Sequence, residues 1–205
     1  NMNPDYIRVL NIEDKKIEIV SDSVFMQMSD TKTPQGVMAV VKMAQYEVND
    51  ILGENALIIA VENLPDPGNL GTILRMGEGA GITGVIMSSN TVDIYNPKTI
   101  RSTMGSIYRV PFFYAKDFNE ELEQLKENGV KIYAAHLDRK NTYTQESYKN
   151  ATAFLIGNEG NGLTDSVTKK ADTLIKIPMQ GQVESLNAAI ACTILTYEAV
   201  RQRTV

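Results

Sequence analysis

Three loops in this 205-residue chain gather the residue types that bind and align ligands. The first runs Glu62-Asn63-Leu64-Pro65-Asp66-Pro67-Gly68-Asn69-Leu70-Gly71 and leads to Arg75. Its prolines stiffen the backbone and Gly68 permits an unusual backbone angle. With a helix starting at Asn69, Arg75 lies under two turns along it and shares a face with Gly71. A nucleotide could then approach beside the guanidinium, with a phosphate at the helix N-terminus. The plain alternative is a rigid turn, a capping Asn and a solvated Arg. The second loop is Gly157-Asn158-Glu159-Gly160-Asn161-Gly162. Its glycines leave amides and carbonyls bare, as a loop wrapping an adenosine or cradling an anion needs. Glu159 puts negative charge where a phosphate would sit, which favours a neutral or cationic ligand; the plain alternative is a flexible connection. The spacing G-x-x-G-x-G is not the dinucleotide fingerprint G-x-G-x-x-G. The third loop, Ile177 to Asn187, ends at Ser185, an expected N-cap, with Asn187 in the first helical turn, its amide turned to a ligand or to solvent.

Other chemistries find little support. His136 has no nearby Ser or Cys to activate, and Cys192 reads as a small core residue in the last helix. Metal-ligand clustering is absent from the sequence, so no metal is expected. One cysteine forms no internal disulfide, and no apolar run nears the roughly 18 residues that span a bilayer. The start lacks a secretory pattern, and these features favour a reduced, cytoplasmic compartment. A first residue other than Met points to a fragment or a processed chain. The net charge of −5 works mildly against an RNA partner, although a basic groove can sit on an acidic protein.

The elements that must carry these loops alternate. Buried strands are expected at Leu57–Val61, Val85–Met87, Val110–Tyr114, Val130–Ala135, Ala153–Ile156 and Thr173–Ile177. Helices are expected from about Leu70 to Ala80 with Asn69 as N-cap and Gly81 beyond the end, and from Asn96-Pro97 to about Met104. A third follows Asp117, whose Asp117-Phe118-Asn119-Glu120 run resembles a capping box, and ends at Asn128-Gly129. A short one spans Leu163 to Ala171. The last opens at Ser185 and runs toward Arg203, with Leu186, Ala189, Ile190, Ile194, Tyr197 and Val200 as its apolar stripe. This order predicts an α/β fold, a mostly parallel sheet with helices on both faces, whose ligands sit beyond the strands' carboxyl ends. The first 44 residues are too few for a core of their own. They offer a strand at Ile17–Val20, a short helix capped by Ser21 or Asp22 and ending at Met28, and an apolar strand at Gly36–Val41. Ala44 to Glu54 reads as a polar linker, so the expected division is 1–44 and 45–205.

Taken together, the loops resemble the three motifs of the SpoU (TrmH-like) branch of the SPOUT methyltransferases. The first is Asp66-Pro67-Gly68-Asn69-Leu70-Gly71 with Arg75. The second is Leu155-Ile156-Gly157-Asn158-Glu159-Gly160 with Gly162. The third is Ile177-Pro178-Met179 with Gly181 and Ser185-Leu186-Asn187-Ala188-Ala189. Their order and separations fit over roughly Asn55 to Arg203. Ser29 to Val37 is similar to the junction that follows the family's small substrate-binding domain, which here would be truncated to a remnant.

The resemblance implies a trefoil-knotted α/β fold and a homodimer with its active site near the subunit interface. It implies S-adenosylmethionine as cofactor, contacted by Gly157, Ile177 and Leu186 with Gly162 and Met179 beside them. It implies transfer of a methyl group to a ribose 2′-hydroxyl of RNA, with Asn69, Arg75, Glu159, Ser185 and Asn187 as the catalytic set. Arginine is too weak an acid to serve readily as a base, so Arg75 suits bidentate holding of a phosphate or ribose oxygen. In the family the segment matching Asn96–Ser106 lies near the RNA, which marks Lys98 and Arg101 together with Arg75 as RNA contacts. An exposed amphipathic helix is the plain alternative. Ribosomal RNA is the favoured substrate, with transfer RNA or a non-catalytic RNA-binding relative as alternatives. The presence of Asn69, Arg75, Glu159 and Asn187 argues against loss of catalysis. A third reading, a doubly wound nucleotide-binding oxidoreductase, is disfavoured because Leu57–Val61 is not followed by a glycine fingerprint.

Overall fold

A computed structural model describes residues 17–29, 31–136 and 141–204. The chain separates into two compact units, Asn1–Ala44 and Gln45–Val205. In the first, Ser21 caps helix α1 (Asp22–Met28) by accepting from the Val24 amide. Neither expected strand forms there. Ile17–Val20 and Gly36–Val41 have no regular structure, and Val40 and Val41 are fully or largely exposed. An apolar run becomes a strand only when a neighbour takes its amides and carbonyls, and no described residue of this unit does so.

The second unit holds one six-stranded sheet. Its strands are β1 (Leu57–Val61), β2 (Gly84–Met87), β3 (Phe112–Tyr114), β4 (Lys131–Ala135), β5 (Thr152–Ile156) and β6 (Thr173–Ile175). They run in the order β3-β2-β1-β5-β4-β6, and every pairing is parallel. Side chains alternate between faces along each strand. Leu57, Ile59 and Val61 enter one core with Val85, Met87, Phe154 and Ile156. Ile58 and Ala60 enter the other with Ile86, Ala153 and Leu155. Being buried on both faces, β1 and β5 must be continuous apolar runs, as their sequences are.

The first core is covered by α3 (Pro67–Ala80), α4 (Pro97–Thr103) and α7 (Ala188–Thr204). The second is covered by α2 (Val48–Ile51), α5 (Phe118–Glu127) and α6 (Asp165–Thr168). The expected linker around Ala44–Glu54 is therefore partly core. Ile51 is fully buried and fills the space a Cβ on Gly84 would need, 2.1 Å away.

Local chemistry sets the helix ends. Asp66, not Asn69, caps α3: its carboxylate accepts from the Asn69 amide at 2.7 Å, with Pro67 in the first turn. Asp66 and Asn69 are both good caps three residues apart, and the proline fixes the earlier start. Gly81 closes the helix with φ +72°. Asn96 caps α4 and Asp117 caps α5 as their sequences indicate. The short α6 begins at Asp165 under a Thr164 cap and ends at Thr168, well inside the expected Leu163–Ala171.

Helix α7 departs most from expectation. It opens at Ala188, and Asn187 is its cap, accepting from the Ala189 and Ile190 amides at 3.0 and 3.2 Å. Ser185 lies outside it. The buried stripe is Ala188, Ala189, Cys192, Leu195, Thr196 and Ala199. Of the expected stripe, Ile190 and Tyr197 instead face outward. A helix apolar on nearly every side has no single face that spacing can identify. At its far end Arg203 donates to the carbonyls of Tyr148, Asn55, Ala56 and Asn150, which fixes α7 against the base of the sheet.

Candidate active site

The three loops meet beyond the carboxyl ends of β1 and β5 and at the start of α7. The meeting point is one carboxylate oxygen. Glu159 Oε1 accepts from Asn69 Nδ2 at 2.8 Å, Asn187 Nδ2 at 2.6 Å and the Ala188 amide at 3.1 Å. Asn187 Nδ2 also donates to Asn69 Oδ1 at 2.9 Å. Each loop thus contributes one side chain to a closed polar triangle. Charge-assisted bonds of this kind are shorter and stronger than neutral ones. Asn187 does two jobs: its oxygen caps α7 while its amide group joins the triangle.

The glycine loop is shaped by its own backbone. Asn158 and Gly162 exchange amide–carbonyl bonds of 3.1 and 2.8 Å, and Gly162 has φ +68°. Asn158 Oδ1 collects the Gly160 and Asn161 amides, and its Nδ2 donates to the Asn63 carbonyl. A Cβ on Gly157 would stand 2.4 Å from the Gly162 carbonyl carbon and 2.5 Å from the Leu163 amide, so only glycine fits there. The third loop brings Ile177, Met179 and Leu186 up half-buried, with Ser185 exposed and holding no helix end. Neither the glycine loop nor the Ile177–Asn187 loop contains a lysine or arginine, while Glu159 and Glu184 stand in them. The loop's amides are thus largely satisfied within the loop rather than bare as expected, and its exposed tip, the half-buried apolar residues and the net negative charge suit a nucleoside carrying a positive centre.

Gly71 does not face a ligand. A Cβ there would lie 2.5 Å from Ser102 Cβ and 2.7 Å from the Thr99 carbonyl, so this glycine lets α3 and α4 pack closely. Arg75, one turn further on, is exposed and bonds to no described residue. The acid nearest along the same helix face is otherwise engaged. Glu78 is bonded to Arg109 and to Ser106, and those partners hold its carboxyl down at about 2. Lys98 forms a 3.8 Å ion pair with Asp66, both well exposed, which is weak in water. Arg101 is exposed on α4.

Of the residues singled out by sequence, Asn69, Glu159 and Asn187 are therefore in mutual contact. Arg75, Lys98 and Arg101 belong to the neighbouring α3–α4 surface. Motif spacing does not reveal the pair Glu62 and Thr164, 102 positions apart, where a buried carboxylate accepts from the Thr164 amide and hydroxyl. The available signal was an acid placed directly after a strand buried on both faces, which requires donors. Their identity is not readable from one chain. No group of three or more His, Cys, Asp or Glu able to hold a metal occurs among the described residues, and no helix there is long and apolar enough to cross a membrane.

A six-stranded parallel sheet whose glycine loop and helix α7 are tied to one carboxylate is an α/β scaffold with its ligand crevice beyond the carboxyl ends of the strands. Comparison narrows that class. Residues 56–197 match the SpoU rRNA methylase family, and residues 5–47 match the RNA 2′-O ribose methyltransferase substrate-binding family. The chain belongs to the SpoU rRNA methylase family, and its fold class is that of the trefoil-knotted SPOUT methyltransferases. It is 33% identical over 179 residues to the 23S rRNA (guanosine(2553)-2′-O)-methyltransferase of Bacillus subtilis, covering 87% of this chain and 70% of that protein. The SpoU methyltransferase AviRb of Streptomyces viridochromogenes, solved with AdoMet, superposes with a TM-score of 0.89 at 27% identity, covering 99% of this chain and 79% of that one. An AdoMet-bound rRNA methyltransferase from Sinorhizobium meliloti gives 0.79 at 32% identity, covering 88% and 70%.

Proposed function

We propose that this chain methylates a ribose 2′-hydroxyl of ribosomal RNA with S-adenosylmethionine as donor. One observation carries the reading: side chains from all three family motifs converge on Glu159 Oε1. The cofactor fits the residues present. The Gly157–Gly162 backbone takes the adenosyl part, Ile177, Met179 and Leu186 supply half-buried apolar contacts, and the loops offer negative charge to a sulfonium. When bound, S-adenosylmethionine supplies an electrophilic methyl on a sulfur that leaves readily. The chain's own work is then alignment and proton removal, because orienting two reactants accounts for much of such a barrier.

Arg75 holds the target nucleotide, its fork matching a phosphate or the ribose oxygen bidentately. Asn69 and Asn187, locked through Glu159, fix the start of α3 and of α7, and with them the direction from which the ribose oxygen approaches. Ser185, exposed in the third loop, is assigned to the substrate side of that approach. Lys98 and Arg101 extend the basic surface along α4 toward the RNA backbone. The unit up to residue 44, most of which lies in the 5–47 segment matching the substrate-binding family, belongs to RNA selection, and the unit from 45 onward to methyl transfer.

Two further parts belong to the same reading. The chain works as a homodimer, supported by Ile190 and Tyr197, which leave an apolar side of α7 53% and 46% exposed. It works in the cytoplasm, supported by a lone, buried Cys192. The test is incubation of the chain with methyl-labelled S-adenosylmethionine and unmodified rRNA or tRNA transcripts. Label entering rRNA supports the reading. Label entering tRNA alone replaces the substrate, and cofactor binding with no transfer to either RNA points to a non-catalytic relative.

A further inference from the structure

Glu62 follows directly on β1 and is only 6% exposed. A carboxylate taken out of water is costly unless donors meet its oxygens. Both are met by one residue: Thr164 donates its amide to Oε2 at 2.8 Å and its hydroxyl to Oε1 at 2.7 Å. The main chain of Glu62 is engaged as well, its amide donating to the Ile156 carbonyl at 2.9 Å. Ile156 is the last residue of β5, and Thr164 is the cap of α6. The segment between them is the glycine loop. A single residue therefore holds both ends of Gly157–Leu163, one through its backbone and one through its side chain.

Within that segment the Asn158–Gly162 pair folds the loop on itself. Glu159, Gly160 and Asn161 at its tip are exposed, so core packing does not set the loop's shape. The base does. A ligand binding a loop with one end released would have to order it first, and that ordering is subtracted from affinity. We propose that Glu62 is a positioning residue whose buried carboxylate clamps Thr164 and thereby keeps the Gly157–Gly162 loop ready for the adenosyl ligand. The proposal rests on the reading of that loop as the S-adenosylmethionine site.

Replacement tests it. Glu62→Ala removes both acceptors and should weaken S-adenosylmethionine binding, read by calorimetry, by about tenfold or more, while KM for RNA stays within about twofold. Glu62→Gln should recover most of the affinity, since its amide oxygen accepts from the Thr164 amide and its NH2 donates to the hydroxyl oxygen. Amide exchange in Gly157–Leu163 should be slow in wild type and Glu62→Gln and faster in Glu62→Ala. Unchanged cofactor affinity in a folded Glu62→Ala would overturn the clamp, as would a Glu62→Gln protein equally impaired. Should Glu62→Ala fail to fold, Thr164→Val, which deletes one of the two donors, decides: about threefold weaker binding supports the clamp and unchanged binding overturns it. A folded wild type that does not bind S-adenosylmethionine would sink the cofactor reading instead, leaving the exchange pattern to judge the clamp.

Discussion

Asn187 donates an amide hydrogen to Asn69 across 2.9 Å, although 118 positions separate them. Both residues also donate to the same oxygen of Glu159, so the starts of α3 and α7 are locked to the glycine loop. The two functions of Asn187, cap and bridge, can be separated. Asn187→Ala should lose about 1 kcal/mol of stability through the cap, together with methyl transfer. Asn187→Ser keeps a capping oxygen but reaches neither Asn69 nor Glu159. It should melt above Asn187→Ala, by the cap it keeps, while remaining inactive. Thermal unfolding beside a transfer assay reads both effects.

Arg75 is exposed, and its removal breaks no hydrogen bond or ion pair among the described residues. Arg75→Ala should cut methyl transfer by about a hundredfold or more, the scale of losing a charge-assisted bidentate hold. Cofactor affinity by calorimetry should change by less than about twofold. Equal loss of cofactor binding would count against this role.

Two glycines that close approaches exclude a side chain predict different failures. In Gly71→Ala the new methyl meets Ser102 and the Thr99 carbonyl, so α3 and α4 must part, at about 1–3 kcal/mol of stability. In Gly157→Ala the methyl meets the backbone of Gly162 and Leu163, so the loop itself must move. Gly157→Ala should lose cofactor binding with a smaller loss of melting temperature than Gly71→Ala. Paired calorimetry and thermal unfolding check the contrast.

Strand β1 ends where its apolar run ends, because a central parallel strand is buried on both faces and must be apolar throughout. The three motif loops were legible because glycines, prolines and asparagines cluster in them. Ser185 looks like the cap of α7 in sequence because Ser-Leu-Asn offers two good caps two residues apart. The Ala189 and Ile190 amides, which bond to Asn187 Oδ1, distinguish them. The outward-facing Ile190 and Tyr197 were assigned to the core because α7 is apolar nearly all round. The Glu62–Thr164 contact was invisible because it spans 102 positions. Gly36–Val41 has strand composition without a described neighbour to pair with.

Glu78 predicts a pH effect. Arg109 and Ser106 hold its carboxyl down from 4.5 to about 2, so the folded state favours the ionised form. The stability this contributes is present above about pH 4.5 and is lost as pH falls toward about 2. Glu78→Gln should therefore destabilise the protein at pH 6, with the difference from wild type shrinking through that window. Denaturant unfolding at a series of pH values measures it. A constant difference down to pH 2 would place the effect elsewhere.

Burial pushes the Cys192 thiol up to about 12, so it is overwhelmingly protonated at neutral pH and unreactive. Alkylating reagents at pH 8 should leave it unmodified in the folded protein and label it after denaturation, as intact-mass measurement would show.

The most direct test is chemical identification of the methylated nucleoside. After reaction with labelled S-adenosylmethionine, the RNA is digested and its nucleosides are resolved by mass spectrometry, with alkaline hydrolysis in parallel. A 2′-O-methyl group removes the nucleophile that cleaves the adjacent phosphodiester. The prediction is a single ribose-methylated nucleoside, recovered as an alkali-resistant dinucleotide and absent with Arg75→Ala. Label found on a base, in alkali-labile mononucleotides, would contradict it.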